Sequence, residues 1–206
     1  MRKKIMVMTL GTVMLLAAVS FTGCGKSAKD TKETTTTTVA KTEKATKEIK
    51  KEEKIEIKIL SKYDQIKKLL SKYPKKMTSK ETSYQEIAVI ENESFDKKSK
   101  KIWEQFLKNV RDQKDCAIVI CQYTVEGDPI LQYVSNVNGK FYYVEDSTRD
   151  DYGSEKYVQY TYNYYKIYKQ DGHYTTILTT DNKLTFDEAQ DVRSLKTAIQ
   201  LLDVKE

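Results

Sequence analysis

Histidine and cysteine, the residues that most often bind zinc or act in nucleophilic catalysis, are scarce in this sequence. Among 206 residues there is one histidine, His173, and there are three cysteines. A zinc site needs three or four suitably placed ligands, and no Ser-His or Cys-His motif surrounds His173. We therefore expect no metal, no other cofactor and no catalytic residue, and we place His173 on the surface at the start of a strand.

Disulfide bonds are not expected either. Cys116 and Cys121 lie five residues apart on one predicted strand. An odd offset places them on opposite faces of a sheet, and a rise of about 3.3 Å per residue separates their Cα atoms by about 16 Å. That distance is beyond the reach of a disulfide. Both cysteines should be free, buried thiols that pack as small apolar groups.

The main part of the chain has no excess of charge of one sign. The whole chain has a formal net charge of +6, but residues 55–206 hold 24 basic and 24 acidic residues. Nucleic-acid binding requires a clustered positive footprint. We therefore expect no nucleic-acid partner.

The N-terminus has the charge order of a secretory signal. Three basic residues precede an apolar run from Ile5 to Phe21, which is shorter than the roughly 20 residues of a comfortable membrane span. Phe21-Thr22-Gly23-Cys24 resembles the lipobox of bacterial lipoproteins. This resemblance implies cleavage after a signal peptide at residues 1–23 and a diacylglyceryl anchor on Cys24, at the extracytoplasmic face of the cell membrane. The alternative is an uncleaved membrane helix with an unmodified Cys24.

The composition divides the rest of the chain into a tether and one domain. After Cys24, residues 25–54 combine charged side chains with a threonine run and have almost no large apolar side chains. Such a segment cannot bury enough surface to offset its ordering entropy. We interpret residues 24–54 as the lipidated cysteine with a disordered tether, and residues 55–206 as a single extracytoplasmic domain.

Three helices are predicted from apolar residues at helical spacing. The first ends before Pro74 and presents Ile59, Tyr63, Ile66, Leu70 and Tyr73. The second begins at Ser94 as N-cap and presents Trp103, Phe106, Leu107 and Val110. The third follows a capping box at Thr185 and Glu188 and presents Phe186, Ala189, Val192, Leu195, Ile199 and Leu202.

The segment between the second and third helices predicts a meander of strands. A run that is apolar on both faces, Cys116–Val125, indicates a central strand. Asn138-Gly139 predicts a hairpin between residues 130–136 and 140–145. Asp171-Gly172 turns a further pair, Tyr157–Tyr168 with Tyr174–Thr180. Together with a strand near residues 84–90, the pattern predicts an α+β fold in which a helix packs on an antiparallel sheet of about five strands, with an additional C-terminal amphipathic helix.

Four segments between about residues 85 and 160 form a distinctive pattern: IWEQFLKNV, IVICQYTVEGDPI, NGKFYY and DSTRDDYG. They resemble a small-lipoprotein family of Gram-positive bacteria known as domain of unknown function 4362. The most specific part is YTVEGDPI followed some fifteen residues later by Thr148-Arg149-Asp150. The resemblance implies a lipid-anchored extracytoplasmic domain, whose family-like core we place at about residues 85–180. It implies no catalytic residues, because the family has no assigned activity.

An acidic corner, Glu126-Gly127-Asp128-Pro129, permits two interpretations. Glycine tolerates positive φ, aspartate bonds nearby amides and proline presets the exit, so a simple turn accounts for the sequence. Alternatively, Glu126 and Asp128 meet the loop that contains Asp150, and Arg149 pairs with Asp128. That arrangement would suit a hydrolase or metal-dependent enzyme using Glu126, Asp128 and Asp150, although the spacing does not match a calcium-binding EF-hand loop.

Tyrosines are the other distinctive feature. On a strand from Tyr157 to Tyr168, alternate residues Tyr160, Tyr162 and Tyr164 share one face. Such a stripe either stacks on sugars or peptides or belongs to the core of a half-buried sheet. We predict a non-catalytic binding domain whose candidate residues are these tyrosines and the acidic corner with Arg149, and whose partner is a cell-wall glycan or an envelope protein.

Overall fold

The computed structural model describes residues 53–153, 157–191 and 194–205. The predicted signal peptide, Cys24 and nearly all of the predicted tether lie outside the described residues. The helices are α1 (Tyr63–Leu70), α2 (Ser79–Ser83), α3 (Lys97–Arg111) and α4 (Phe186–Gln190). The strands are β1 (Ala88–Glu91), β2 (Ser94–Phe95), β3 (Cys116–Tyr123), β4 (Pro129–Val137), β5 (Lys140–Asp146), β6 (Tyr157–Tyr162), β7 (Tyr164–Gln170), β8 (His173–Thr179) and β9 (Ala198–Lys205). None of the helices in this part of the chain is long and apolar enough to cross a membrane.

The described strands form two sheets. Six strands make the larger sheet in the order β2-β1-β3-β4-β5-β6, and three make the smaller sheet in the order β7-β8-β9. β1 pairs with β3 in parallel, and the remaining neighbours are antiparallel. The predicted α+β class, with a helix on a mostly antiparallel sheet, is therefore confirmed, with six strands in the main sheet and a second sheet beside it.

One face of the larger sheet packs against α3 and the smaller sheet. Trp103, Phe106 and Val110 are buried on one side of α3, as their spacing predicts. They join Ile118 and Ile120 of β3 and a larger set of buried residues from both sheets, including Val134, Phe141, Tyr143, Tyr162, Leu178, Leu201 and Leu202. Burial of each large side chain contributes about 1.5–3 kcal/mol, so this cluster is the main core.

The other face of the larger sheet packs against α1 and the chain that precedes it. Ile66, Leu69 and Leu70 of α1 contact a cluster that includes Val119 and Cys121 of β3. β3 is thus covered on both faces, as its apolar sequence predicts. Cys116 belongs to the opposite cluster, and both cysteines are free and buried, which confirms their predicted state.

The two predicted hairpin turns are present. Asn138 and Gly139 have φ of 51° and 76° between Val137 and Lys140, and Asp171 and Gly172 have φ of 51° and 79° before His173. Both pairs have the positive φ that a type I′ turn requires. His173 begins β8, as predicted, but it is half-buried and not on the surface.

The prediction of one strand from Tyr157 to Tyr168 is wrong. β6 pairs with β5 in the larger sheet, β7 pairs with β8 in the smaller sheet, and Asn163 lies between them. The Asn163 amide donates to the carbonyl of Thr179 at 3.1 Å, which fixes the crossover. The chain therefore changes sheets within the predicted tyrosine stripe.

The predicted N-cap of α3 is also wrong. Ser94 lies in β2, and the cap is Asp96, whose side chain accepts a 2.6 Å hydrogen bond from the Ser99 amide. Aspartate is as good a cap as serine, and the two-residue strand leaves Asp96 at the entry to the helix.

The C-terminal helix is present but shorter than predicted. Its capping box at Thr185 and Glu188 is formed, and α4 ends at Gln190. The predicted extension to Ile199 and Leu202 is wrong because residues 198–205 form β9 on the edge of β8. Pairing there buries Leu201 and Leu202 in the main core and satisfies the backbone of β8. The predicted helix position Val192 lies outside the described residues.

Candidate functional site

A cleft of about 670 Å³ lies where β3 turns into β4. We call it the corner cleft. Four pieces of chain line it: residues 75–79 after α1, residues 90–92 at the end of β1, parts of the β3–β4 loop between Tyr123 and Pro129, and the loop that holds Arg149 and Asp151. The acidic corner predicted from the sequence is therefore one wall of the cleft.

The β3–β4 loop has the hydrogen bonds of a turn. The Gly127 amide donates to the Thr124 carbonyl at 3.0 Å, and Gly127 has a φ of 91°. The Asp128 amide donates to the Thr124 hydroxyl at 3.1 Å, and Pro129 begins β4. Glu126 is exposed and is not among the residues that line the cleft. The turn interpretation thus describes the backbone, while Asp128 also contributes to the cleft.

Arg149 has a structural role, and the alternative in which it pairs with Asp128 is wrong. Its guanidinium donates from Nη1 to Asp146 Oδ2 at 2.7 Å. Nε and Nη2 donate to the carbonyls of Pro74, Leu70 and Tyr73 at 2.9 Å. The last carbonyls of a helix have no partner within the helix, and a cation there interacts favourably with the helix dipole. Arg149 therefore caps the end of α1 and holds residues 74–79 beside the cleft.

Of the two carboxylates of the acidic corner, Asp128 meets the loop after β5, as the second interpretation of the corner requires. The Asp151 amide donates to Asp128 Oδ2 at 3.3 Å. Asp151 in turn lies 3.8 Å from Lys75 across the cleft. Asp150 faces its own loop, where Oδ1 accepts from the Tyr152 amide at 2.8 Å. Within residues 53–153, 157–191 and 194–205, no three His, Cys, Asp or Glu side chains are grouped so that they could hold a metal ion.

The corner cleft combines charges of both signs with an apolar base. Lys75 and Lys76 contribute cations, and Glu91, Asp128 and Asp151 contribute carboxylates. Among the lining residues, Met77, Ile90, Pro129 and Arg149 are buried. Such a surface complements a ligand that carries both an ammonium and a carboxylate group, because each charge of the ligand then finds an opposite charge.

Tyr123 supports the base of the cleft. Its hydroxyl donates to the carbonyl of Met77, which ties β3 to the segment after α1. Burial is the main reason that the pKa of Tyr123 is raised above its ordinary value. The hydroxyl therefore stays protonated at neutral pH and keeps its role as a donor.

The three predicted tyrosines do not form one surface. Tyr162 is fully buried, and its hydroxyl donates to the Leu195 carbonyl. Tyr160 is half-buried, with its ring centroid 6.4 Å from that of Tyr162. Tyr164 lies in the other sheet, where 40% of it is exposed. Tyr162 thus belongs to the core, which is one of the two roles that the sequence allows for the stripe, and Tyr164 is the exposed member.

Several residues of the corner cleft were not predicted from the sequence. Lys75, Lys76 and Glu91 line it, but their positions depend on contacts between distant segments. One local signal was available at Asn92-Glu93. Asn is common in two-residue hairpin loops because it tolerates positive φ. Asn92 and Glu93 have φ of 51° and 59° and connect β1 to β2 in such a loop.

The site therefore belongs to an α+β domain with a cleft at one end of a mixed sheet. The family model described as domain of unknown function (DUF4362) matches residues 89–179. This part of the chain, from β1 to β8, is similar to that family's domain and contains the β3–β4 loop and the Asp146–Arg149 pair. The predicted resemblance to this domain is thus confirmed for residues 89–179, and the lipid anchor that it implies stays a prediction. No curated protein and no solved structure matches the chain.

Proposed function

We propose that this chain is a lipoprotein held at the extracytoplasmic face of the cell membrane through diacylglyceryl-Cys24, and that its domain is a non-catalytic binding module. The leader sequence and the lipobox-like Phe21-Thr22-Gly23-Cys24 support the anchor. The corner cleft supports the binding role. Its ligand is a peptide segment of a cell-envelope component that carries both an ammonium and a carboxylate group.

The mixed charge of the corner cleft is the observation that carries this proposal. One piece of chain contributes the cations Lys75 and Lys76, and the end of β1 contributes the carboxylate of Glu91. Lys75 also lies 3.8 Å from Asp151. The Asp146–Arg149 pair fixes the first of these pieces to β5. A pre-formed cleft loses less ordering entropy when it binds a ligand.

Sedimentation with isolated cell-wall sacculi tests the proposal. The full-length chain, purified in detergent, is mixed with sacculi at low and high salt, and the bound fraction is measured. We expect binding that salt weakens, since exposed charges are screened. Lys76→Gln and Glu91→Gln should each weaken it about tenfold, which corresponds to about 1.4 kcal/mol.

Two matched substitutions on the exposed side of α3, Lys101→Gln and Glu104→Gln, serve as controls and should bind like the unaltered chain. Binding that Lys76→Gln and Glu91→Gln leave unchanged would contradict the role of the corner cleft. Release of soluble fragments from the sacculi, lost in Asp128→Asn, would instead support the hydrolase that the carboxylates Glu126, Asp128 and Asp150 suggested.

A further inference from the structure

A second cleft of about 580 Å³ lies at the opposite end of β3. It is formed by the C-terminal end of α3, the β4–β5 hairpin and the crossover from β6 to β7. β3 runs from Cys116 beside this cleft to Tyr123 in the corner cleft, a separation of about 23 Å at 3.3 Å per residue. The two clefts are therefore separate sites.

Amide side chains dominate this second cleft, which we call the amide cleft. Four of them line it: Gln113, Asn136, Asn138 and Asn163. Each amide offers an acceptor oxygen and two N–H donors in a fixed plane. The one carboxylate in the lining, Asp115, accepts a 2.8 Å hydrogen bond from the backbone N–H of Asn138. The cleft thus presents many uncharged donors and acceptors.

Asn136 has an unused hydrogen-bonding group. The residue is 3% exposed, and its Nδ2 donates to the Lys114 carbonyl at 3.2 Å. Its Oδ1 is buried and has no partner. A buried acceptor without a partner destabilises the fold, and buried polar groups are nearly always paired. A donor from a ligand in the cleft would relieve this cost after a small rotation of the side chain.

Gln113 occupies a position that favours glycine. It has a φ of 57° and ends α3 with two hydrogen bonds, from its own amide to Val110 and from the Lys114 amide to Asn109. This is the arrangement in which glycine is the usual residue, because a side chain is strained at positive φ. Gln113 therefore places an amide in the cleft at some expense to the stability of the fold.

An aromatic ring completes the amide cleft. Tyr164 is 40% exposed and lies next to Tyr165, whose ring packs edge-on against Phe141 at 5.8 Å between centroids. All three residues line the cleft. An exposed tyrosine ring on a rigid base can stack against the C–H face of a ligand while its hydroxyl remains in water.

We propose that the amide cleft binds an uncharged saccharide. A sugar ring has an apolar C–H face for Tyr164 and hydroxyl groups in pairs for the amides of Gln113, Asn136 and Asn138. Ligand sites of this kind join an apolar surface to a few placed polar groups. The near absence of charge separates this cleft from the corner cleft, so the inference stands without the proposed function.

Titration calorimetry of the full-length chain, in a detergent without a sugar headgroup, tests this inference. Two probes are used: an oligomer of N-acetylglucosamine, which represents a wall glycan, and an oligomer of glucose. We expect binding of at least one probe in the millimolar range or tighter. Tyr164→Ser should weaken it at least fivefold, and Tyr152→Ser, which removes a tyrosine that is 81% exposed outside the cleft, should not.

Gln113→Gly separates a binding role from a structural one. Glycine relieves the strain at positive φ, so this variant should melt at a higher temperature while it binds sugar at least fivefold more weakly. A preference for the N-acetylated probe would identify a wall glycan as the source, and equal binding would indicate a general glucan site. The inference is overturned if neither probe binds, or if binding survives both Tyr164→Ser and Gln113→Gly unchanged.

Discussion

Asp146 and Arg149 form a buried ion pair with 2.7 Å between Oδ2 and Nη1, and their side chains are 0% and 5% exposed. The remaining carboxylate oxygen of Asp146 accepts from the amide and hydroxyl of Thr148. The guanidinium also donates to the carbonyl of Leu70 at the end of α1 and to the carbonyls of Tyr73 and Pro74 just after it. This pair therefore joins β5 to a helix about 75 residues earlier in the chain and supports one side of the corner cleft.

Arg149→Ala should lower the free energy of unfolding by about 3–5 kcal/mol, because removal of one partner leaves a buried charge uncompensated. Lys68→Ala, on the exposed side of α1, should change it by less than about 0.5 kcal/mol. Urea unfolding of the full-length chain measures both. If Asp146→Ala and Arg149→Ala act on one pair, their combined effect will be smaller than their sum; strict additivity would count against the pair.

Asp128→Ala should change the free energy of unfolding little and weaken binding to sacculi. Asp128 is half-buried and accepts one long hydrogen bond from the Asp151 amide, so we expect a loss of no more than about 1.5 kcal/mol. Because its carboxylate lines the corner cleft, the same variant should bind sacculi more weakly. Parallel urea unfolding and sedimentation check both effects. A large loss of stability with unchanged binding would mean that the acidic corner is only a turn.

The apolar spacing of α3 and the turn residues of the hairpins could be recognised from sequence because their causes are local. Trp103, Phe106 and Val110 are brought together by one helix, and Asn138-Gly139 sets its own backbone angles. Tyr162 and Tyr164 show the limit of this reasoning. The spacing of tyrosines at every second residue continues unbroken past Asn163. Only the pairing of β6 with β5 and of β7 with β8 assigns Tyr162 and Tyr164 to different sheets.

The C-terminal segment shows the same limit. Ile199 and Leu202 have helical spacing, but β9 bears a register shift against Thr176 and Ile177, and that irregularity lets the adjacent Leu201 and Leu202 both be buried. The candidate site was predictable only in part. Asp128 could be placed near the loop after β5, whereas the carbonyl partners of Arg149 in and just after α1 leave no local trace in the sequence.

The thiols of Cys116 and Cys121 should react slowly. Burial raises the pKa of each to about 11, and the thiolate is the reactive form. We expect a bulky thiol reagent at pH 8 to label them only as fast as the protein unfolds, whereas urea-unfolded protein should react at once. Peptide mass spectrometry locates the labels. Rapid labelling of either cysteine in the folded protein would show that it is accessible.

The same shifts predict a loss of stability in alkaline solution. A thiol with a raised pKa in the fold binds its proton more tightly there than in the unfolded chain, where the pKa is about 8.5. The resulting stability is complete below about pH 8.5 and is lost as pH rises through about 11. Urea unfolding between pH 7 and pH 11 measures this. In Cys121→Ala the decline should be shallower; an identical slope would exclude this thiol as a cause.

Asp96 should give stability that is lost in acid. The amide of Ser99 donates to its carboxylate, which lowers the pKa of Asp96. Stability from this cap is therefore present above the ordinary pKa of about 3.9 and disappears as pH falls through the folded value. Asp96→Ala should cost about 1 kcal/mol at pH 7 and less at pH 3. Asp96→Asn, which keeps a cap without a charge, should lack this pH dependence.

The proposed membrane anchor at Cys24 can be tested without reference to either cleft. We expect intact-mass analysis of the membrane fraction to find a chain that begins at Cys24 and carries a diacylglyceryl group. Each buried acyl methylene contributes about 0.8 kcal/mol, so two chains hold a protein stably at a bilayer. Cys24→Ser should lack the added lipid mass. A free Cys24 thiol, or retention of residues 1–23 in the unaltered protein, would mean that the leader is an uncleaved membrane segment.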